Sequence, residues 1–110
     1  MANGAKQLLY VRLSLAQAKP GNEAAVAKIE DDLMAFFAKQ PGYVRGYQIT
    51  GGDSAGRVGR LTLWESDHHA DHAAQTPHVL AQRSELLLLI EGDVHVEDSW
   101  AAREVFAAKS

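Results

Sequence analysis

Apolar and polar residues alternate singly from Leu8 to Ala18, with Leu9, Val11, Leu13 and Leu15 on one side and Tyr10, Arg12 and Ser14 on the other. A period of two places successive side chains on opposite faces of an extended chain, so this stretch predicts a half-buried first strand. Lys19-Pro20-Gly21 ends it. From Asn22 to Lys39 the period changes. Val26, Ile29, Leu33, Phe36 and Phe37 recur at steps of three and four, with Lys28, Glu30, Asp31, Asp32 and Lys39 largely elsewhere, which predicts an amphipathic helix capped by Asn22. Gln40-Pro41-Gly42 stops that helix, and Tyr43 to Thr50 is rich in aromatic and β-branched residues, as a strand should be. Gly46 inside it predicts a bulge or a close approach. The loop from Gly51 to Gly56 then predicts an antiparallel hairpin into a third strand, where Leu61 and Leu63 alternate with Arg60, Thr62 and Trp64.

The pattern turns helical after Trp64. Ser66 or Asp67 can cap a first piece, because a short side-chain oxygen there accepts from an unpaired amide of the opening turn. Thr76-Pro77 reads as a second helix start, since proline at the first helical position forgoes no intrahelical bond. Val79, Leu80, Leu86, Leu87 and Ile90 continue that helix to an end near Glu91-Gly92. Asp93 to Glu97 alternates again, with Val94 and Val96 against His95 and Glu97, and Asp98-Ser99 is a possible cap for a tail helix holding Trp100, Val105 and Phe106.

The predicted order is β-α-β-β-α-β, the ferredoxin-like split βαβ arrangement: an α+β fold with an antiparallel sheet and both helices on one face. Residues 1–110 form one domain, with a core over about 8–97 and a tail over 98–110. Hydrophobicity assigns Leu9, Val11, Leu13, Leu15, Leu61, Leu63, Val94 and Val96 to the helix-covered face. The other face then carries Tyr10, Arg12, Ser14, Arg60, Thr62, Trp64, His95 and Glu97. The second strand adds to it either Tyr43, Arg45 and Tyr47, or Val44, Gln48 and Thr50. That mixture is too polar for a dry core and too aromatic for a bare surface, and it suits a dimer interface enclosing a pocket.

Composition narrows the classes. In 110 residues, 46% hydrophobic and 23% charged with a net charge of −3, there is no basic surface for nucleic acid and no bias toward disorder. The chain has no cysteine, hence neither a disulfide nor a thiolate nucleophile. Met1 to Gln7 has no signal-like apolar stretch and Leu86 to Ile90 is too short to span a bilayer, so a cytoplasmic protein with no membrane partner is expected. A chain this small gains from pairing with a second copy.

Several short motifs together resemble one family. A first strand ending before Lys19-Pro20-Gly21, a helix ending in Pro41-Gly42-Tyr43, a third strand ending in Trp64-Glu65-Ser66, and His72 followed by Thr76-Pro77-His78 are similar to the antibiotic biosynthesis monooxygenases of the dimeric α/β-barrel superfamily. The resemblance spans roughly residues 8 to 97. It implies a homodimer whose sheets pack into a barrel, with a pocket per subunit between sheet and helices. Members include oxygenases of quinols and anthrones that use neither metal nor flavin, haem degraders, an isomerase acting on a quorum-sensing signal, and many proteins without known activity. The haem-degrading branch carries an asparagine on the first strand, a tryptophan in the second helix and a ligand histidine. The corresponding positions here fall near Val11, Ala73 and Arg83, which argues against that branch.

The resemblance therefore implies a cofactor-independent monooxygenase of a small aromatic, quinol or anthrone-type substrate, with a non-catalytic dimeric small-molecule-binding or stress-associated barrel as the alternative. Such an oxygenation needs a base of near-neutral pKa and cations or donors that stabilise a phenolate or enolate. His72, Trp64 and Arg60 are the expected catalytic set, and Tyr10, Arg12, Tyr47, Thr62, His78, Arg83 and His95 the expected substrate contacts. Each also has a plainer reading. Trp64 can fill the core or the dimer seam, Tyr10 and Tyr47 can serve the interface, and His72 and His78 can simply pack. Arg12 and Arg60 can pair with Glu97 or Glu65. The spacing of His68, His69 and His72 also permits a metal site with Asp67, Asp71 or His78, although no glutamate completes a His-Glu-x-x-His motif. No cofactor or metal is assigned.

Overall fold

The computed structural model describes residues 8–51, 56–92, 95–106 and 108. In chain order they form β1 (Leu8–Gln17), α1 (Glu23–Phe37), β2 (Tyr43–Thr50), β3 (Arg57–Trp64), α2 (Asp67–Ala74), α3 (Pro77–Leu89) and β4 (Val96–Arg103). The strands make one antiparallel sheet in the order β2-β3-β1-β4, so the fold is the ferredoxin-like α+β arrangement, its second helical segment broken into α2 and α3. Among the described residues no helix is long and apolar enough to cross a membrane.

The helix boundaries follow local chemistry. Ser66 caps α2, its hydroxyl accepting from the His69 amide at 3.1 Å. Pro77 opens α3 as the first helical residue. Asn22 and Thr76 occupy the expected cap positions but neither side chain bonds to its own helix. Thr76 instead donates to the Ala73 carbonyl at 2.8 Å, closing α2, and the Asn22 amide donates to the Leu89 carbonyl at 3.4 Å, tying the start of α1 to the end of α3. The bulge in β2 lies between Tyr43 and Arg45. Gly46 satisfies the other expectation for that residue, because an added Cβ would run into the Tyr43 hydroxyl and the Met34 methyl.

Two expectations are corrected. The tail helix does not form: Trp100 lies in β4, which pairs with β1 from Val96 to Arg103, while Val105 and Phe106 follow in irregular chain. Ala101 and Ala102 favour a helix intrinsically, but the free edge of β1 offers a ladder of backbone bonds, and tertiary context overrides so weak a preference. The second correction concerns the faces, which are exchanged. The core between helices and sheet contains Val26, Ile29, Leu33 and Phe37 of α1, Ala70 and Ala73 of α2, Val79 and Leu86 of α3, and, from the sheet, Ala16 and Trp64 with Tyr10 and Val58 alongside. Leu9, Val11, Leu13, Leu15, Leu61 and Leu63 are not part of it. Cross-strand register fixes the assignment, since Tyr10 faces Trp64, Arg12 faces Thr62 and Ser14 faces Arg60. The polar, arginine-bearing side of the sheet lies under the helices and the leucine side lies open. Val94, placed on the leucine face from the sequence, lies outside the described residues.

Candidate functional site

The sheet lays out the floor of a cavity in rows. Arg60 of β3, Ser14 of β1 and Glu97 of β4 are register partners, and Thr62, Arg12 and Ser99 form the next row. Because strand side chains alternate, all six project toward the helices. The walls come from Phe37 at the end of α1, Ala70 and Ala74 of α2, and Val79 and Arg83 of α3. Trp64 closes the inner end and is 1% exposed. Its indole N–H donates to the Thr62 hydroxyl at 2.8 Å, and its ring meets Phe37 and Tyr43 edge-on at 5.8 and 5.5 Å. The cavity is open on one side and its volume is about 230 Å³.

The arginines of this lining are all paired. Arg60 donates from Nη1 to Oε1 of Glu30 at 2.9 Å and sits 5.8 Å from the centroid of the Phe37 ring. Glu30 is fully buried. Arg12 donates from Nη2 to Asp67 at 3.1 Å and to Asp71 at 2.8 Å, so two carboxylates on one face of α2 hold a side chain of β1. Burial alone would lower the pKa of Arg12, but hydrogen bonds and attraction from Asp71 and Asp67 outweigh it and the net shift is upward. Arg83 donates to Oε1 of Glu97, whose other oxygen lies 3.9 Å from Arg60 Nη2 and 3.6 Å from His95 Nε2. Each guanidinium thus has at least one carboxylate at hand, and the cavity is not a positively charged hole.

It does hold unsatisfied donors. Nε of Arg12, Nε of Arg83 and the Ser14 hydroxyl are buried without a hydrogen-bond partner, and all three residues line the cavity. Buried polar groups of this kind are rarely left unpaired unless a ligand or water meets them. The remaining unpaired buried oxygen in this region is Oε2 of Glu30, on the far side of Arg60.

Of the residues expected from the sequence, Trp64, Arg60, Arg12, Thr62 and Arg83 line the cavity. Tyr10 packs in the core beside it, and His95 stands behind Glu97. The other three lie elsewhere. His72 is exposed on α2 and Tyr47 is 49% exposed on the strand face away from the helices. His78 stacks on Phe36 at 4.5 Å and bonds to Asp32 at 2.7 Å, joining α3 to α1 on the outer surface. Their positions have one cause: the exposed turns of α2 and α3 and the open sheet face all point away from the space between the layers. His69 faces its own cap, with Nδ1 2.8 Å from the Ser66 hydroxyl. Among the described residues no three His, Asp or Glu side chains converge to hold a metal ion.

Glu30, Ser14 and Glu97 were not among the expected site residues. Glu30 had a legible signal, because position 30 follows Val26 by four and precedes Leu33 by three, within the apolar stripe of α1. A carboxylate there requires a cation on the surface it packs against.

No family model matches the sequence, and no curated protein sequence matches it. Solved structures with the same fold include a protein of Shewanella oneidensis, with a TM-score of 0.81 at 14% identity over 90% of this chain and 95% of that one. SnoaB, a cofactor-independent oxygenase from Streptomyces nogalater, has a TM-score of 0.64 at 20% identity over 96% of each chain. An antibiotic biosynthesis monooxygenase has a TM-score of 0.69 at 13% identity over 91% of this chain and 99% of that one. The likeness is one of fold, and it includes proteins of the family that the sequence motifs resemble.

Proposed function

We propose that the chain is a cofactor-independent monooxygenase of a small quinol or phenol, working as a homodimer. The observation that carries the reading is the set of buried donors without partners, Arg12 Nε, Arg83 Nε and Ser14 Oγ, on a cavity whose aromatic walls are Trp64 and Phe37. These donors suit a substrate oxygen that becomes negative as its proton leaves, and donors fixed in advance stabilise such an anion without reorganising. The aromatic walls hold the ring. Size refines the substrate. About 150 Å³ of apolar cavity takes one benzene ring, so the 230 Å³ here suits a substituted single ring or a bicyclic one more than a tricyclic anthrone. The open leucine face supports dimerisation, because an uncovered apolar sheet face of this extent is an interface in most soluble proteins.

Oxygen uptake by the metal-free protein against single-ring and bicyclic quinols tests the proposal. Uptake above the protein-free rate that persists with chelator, and falls at least tenfold in Ser14→Ala or Arg83→Met, is the expected result. No uptake with any quinol would overturn it. One observation favours the second reading, a small-molecule-binding barrel without catalysis: among the described residues no imidazole lines the cavity. Retention of a quinol at equilibrium without oxygen uptake would establish that reading.

A further inference from the structure

Arg60 is the cation most deeply set in the cavity lining, yet it carries none of the unpartnered donors. Its Nη1 is bound at 2.9 Å to a glutamate on α1 that has no solvent exposure. We propose that Glu30 determines the specificity of the cavity: by cancelling Arg60, it makes the site select oxygen-bearing aromatics that arrive neutral and reject those that are permanent anions. The inference rests on the reading of the cavity as a site for an aromatic oxygen ligand, and deepens it.

The charge inventory supports this. Facing the cavity from β1 are Arg12 and Ser14, from β3 Arg60, from β4 Glu97, and from α3 Arg83, while Asp98 of β4 pairs with Leu13 and so projects to the other face. Arg12 is matched by Asp67 and Asp71 of α2, and Arg83 by Glu97, so the balance of the site depends on whether Arg60 is matched as well. Glu97 stands 3.9 Å from Arg60 but is already engaged by Arg83, which leaves Glu30 as its full partner. A ligand oxygen reaching Arg60 from the cavity side would lie roughly 8 Å from the Glu30 carboxylate, the span of two hydrogen bonds and a guanidinium. At an effective dielectric of about 20, charges at that separation still repel enough to change affinity by roughly thirtyfold. A neutral ligand feels none of this. The unpaired Oε2 of Glu30 fits the same role, because a carboxylate retained for its charge need not use both oxygens.

The test compares two bicyclic probes of the same outline. 2-Hydroxy-1,4-naphthoquinone is an anion at neutral pH and 2-methyl-1,4-naphthoquinone is neutral, and the chain has no cysteine for either to alkylate. Titration calorimetry with the full chain and its Glu30→Gln variant should show the anionic probe binding roughly thirtyfold more tightly to the variant, with the neutral probe changed less than about twofold. Wild-type binding of either probe with no gain for the anion in a folded Glu30→Gln variant would overturn the role of Glu30 and leave the site standing. Binding of neither probe to either protein would overturn both. Should Glu30→Gln fail to fold, the double variant Glu30→Met, Arg60→Met removes both charges together. Its anion-to-neutral affinity ratio should then stay within about threefold of wild type, since the pair is neutral overall. A fall of more than about tenfold would show Arg60 acting on the ligand despite Glu30, and would overturn the inference.

Discussion

Replacing Arg60 with methionine exposes the energetics of the buried pair. Met keeps most of the side-chain volume beside Phe37 but leaves Glu30, fully buried, with no cation within reach. Loss of one partner from a buried pair costs about 3–5 kcal/mol, because the survivor's charge is then uncompensated. Protonation sets a ceiling. A carboxyl group with an ordinary pKa of about 4.3 costs about 3.7 kcal/mol to keep neutral at pH 7, so the expected loss is about 3–4 kcal/mol. For a domain of this size each kcal/mol lowers Tm by about 4 °C, which gives a fall of about 12–16 °C at pH 7. The ceiling moves with pH in a definite direction. In the variant the folded-state pKa of Glu30 is raised above its unfolded value, so stability is lost as pH rises and recovered as it falls, and at pH 5 the deficit shrinks to about 1 kcal/mol. Urea unfolding of wild type, Arg60→Met and the double variant Glu30→Met, Arg60→Met at pH 7 and pH 5 measures all of this, with the double variant within about 1 kcal/mol of wild type. A loss below 1 kcal/mol at pH 7, or a loss independent of pH, would refute the reasoning.

Other expectations follow from single contacts. Ser66→Ala removes the hydroxyl that accepts from the His69 amide and should cost about 1 kcal/mol in urea unfolding, most of it recovered in Ser66→Asp. Tyr43 has its pKa raised by burial, so its phenol stays neutral in the fold where the unfolded chain would ionise; stability should decline as pH rises above about 10, and Tyr43→Phe should flatten that decline in alkaline thermal melts. Leu63→Glu places a charge in the middle of the open leucine face, and if that face is the proposed interface sedimentation should give a dimer for the wild type and a monomer for the variant, with the helical circular dichroism retained. A Leu63→Glu protein that sediments as wild type would exclude this face as the interface.

The element order and most boundaries were legible because they rest on local signals: the period of two in β1 and β3, the stripe of α1, and the Pro77 start of α3. What failed did so for non-local reasons. Trp100 to Arg103 became strand because β1 was long enough to pair with it, a fact of registry rather than of those four residues. Capping failed at Asn22 and Thr76 because each found a better partner across a helix junction. His72 and His78 attracted attention by residue type, yet the short polar α2 packs through Ala70 and Ala73 and leaves His72 exposed, while α3 packs through Val79 and Leu86 and leaves His78 on the outer surface against Phe36 and Asp32.

The exchange of sheet faces has the widest consequence. Alternation says that a strand has two unlike faces; it does not say which one the helices take, and in a sheet covered on both sides the more apolar face need not be the one under them. The deciding information lay on the helices. Glu30 stands within the apolar stripe of α1, and Asp67 and Asp71 lie four apart on α2, so the helical layer presents carboxylates toward whatever it covers. A leucine face could not satisfy the buried Glu30, whereas Arg60 does, and Arg12 adds pairs to the more exposed Asp67 and Asp71. The same pairs border the cavity. The ion-paired residues Arg12 and Arg60 join the two layers, and beside them, between Phe37, Trp64 and the arginine row, lies the cavity. With the leucines outside, the chain has a cavity between sheet and helices and an apolar face that its helices leave uncovered, and both follow from one choice of register.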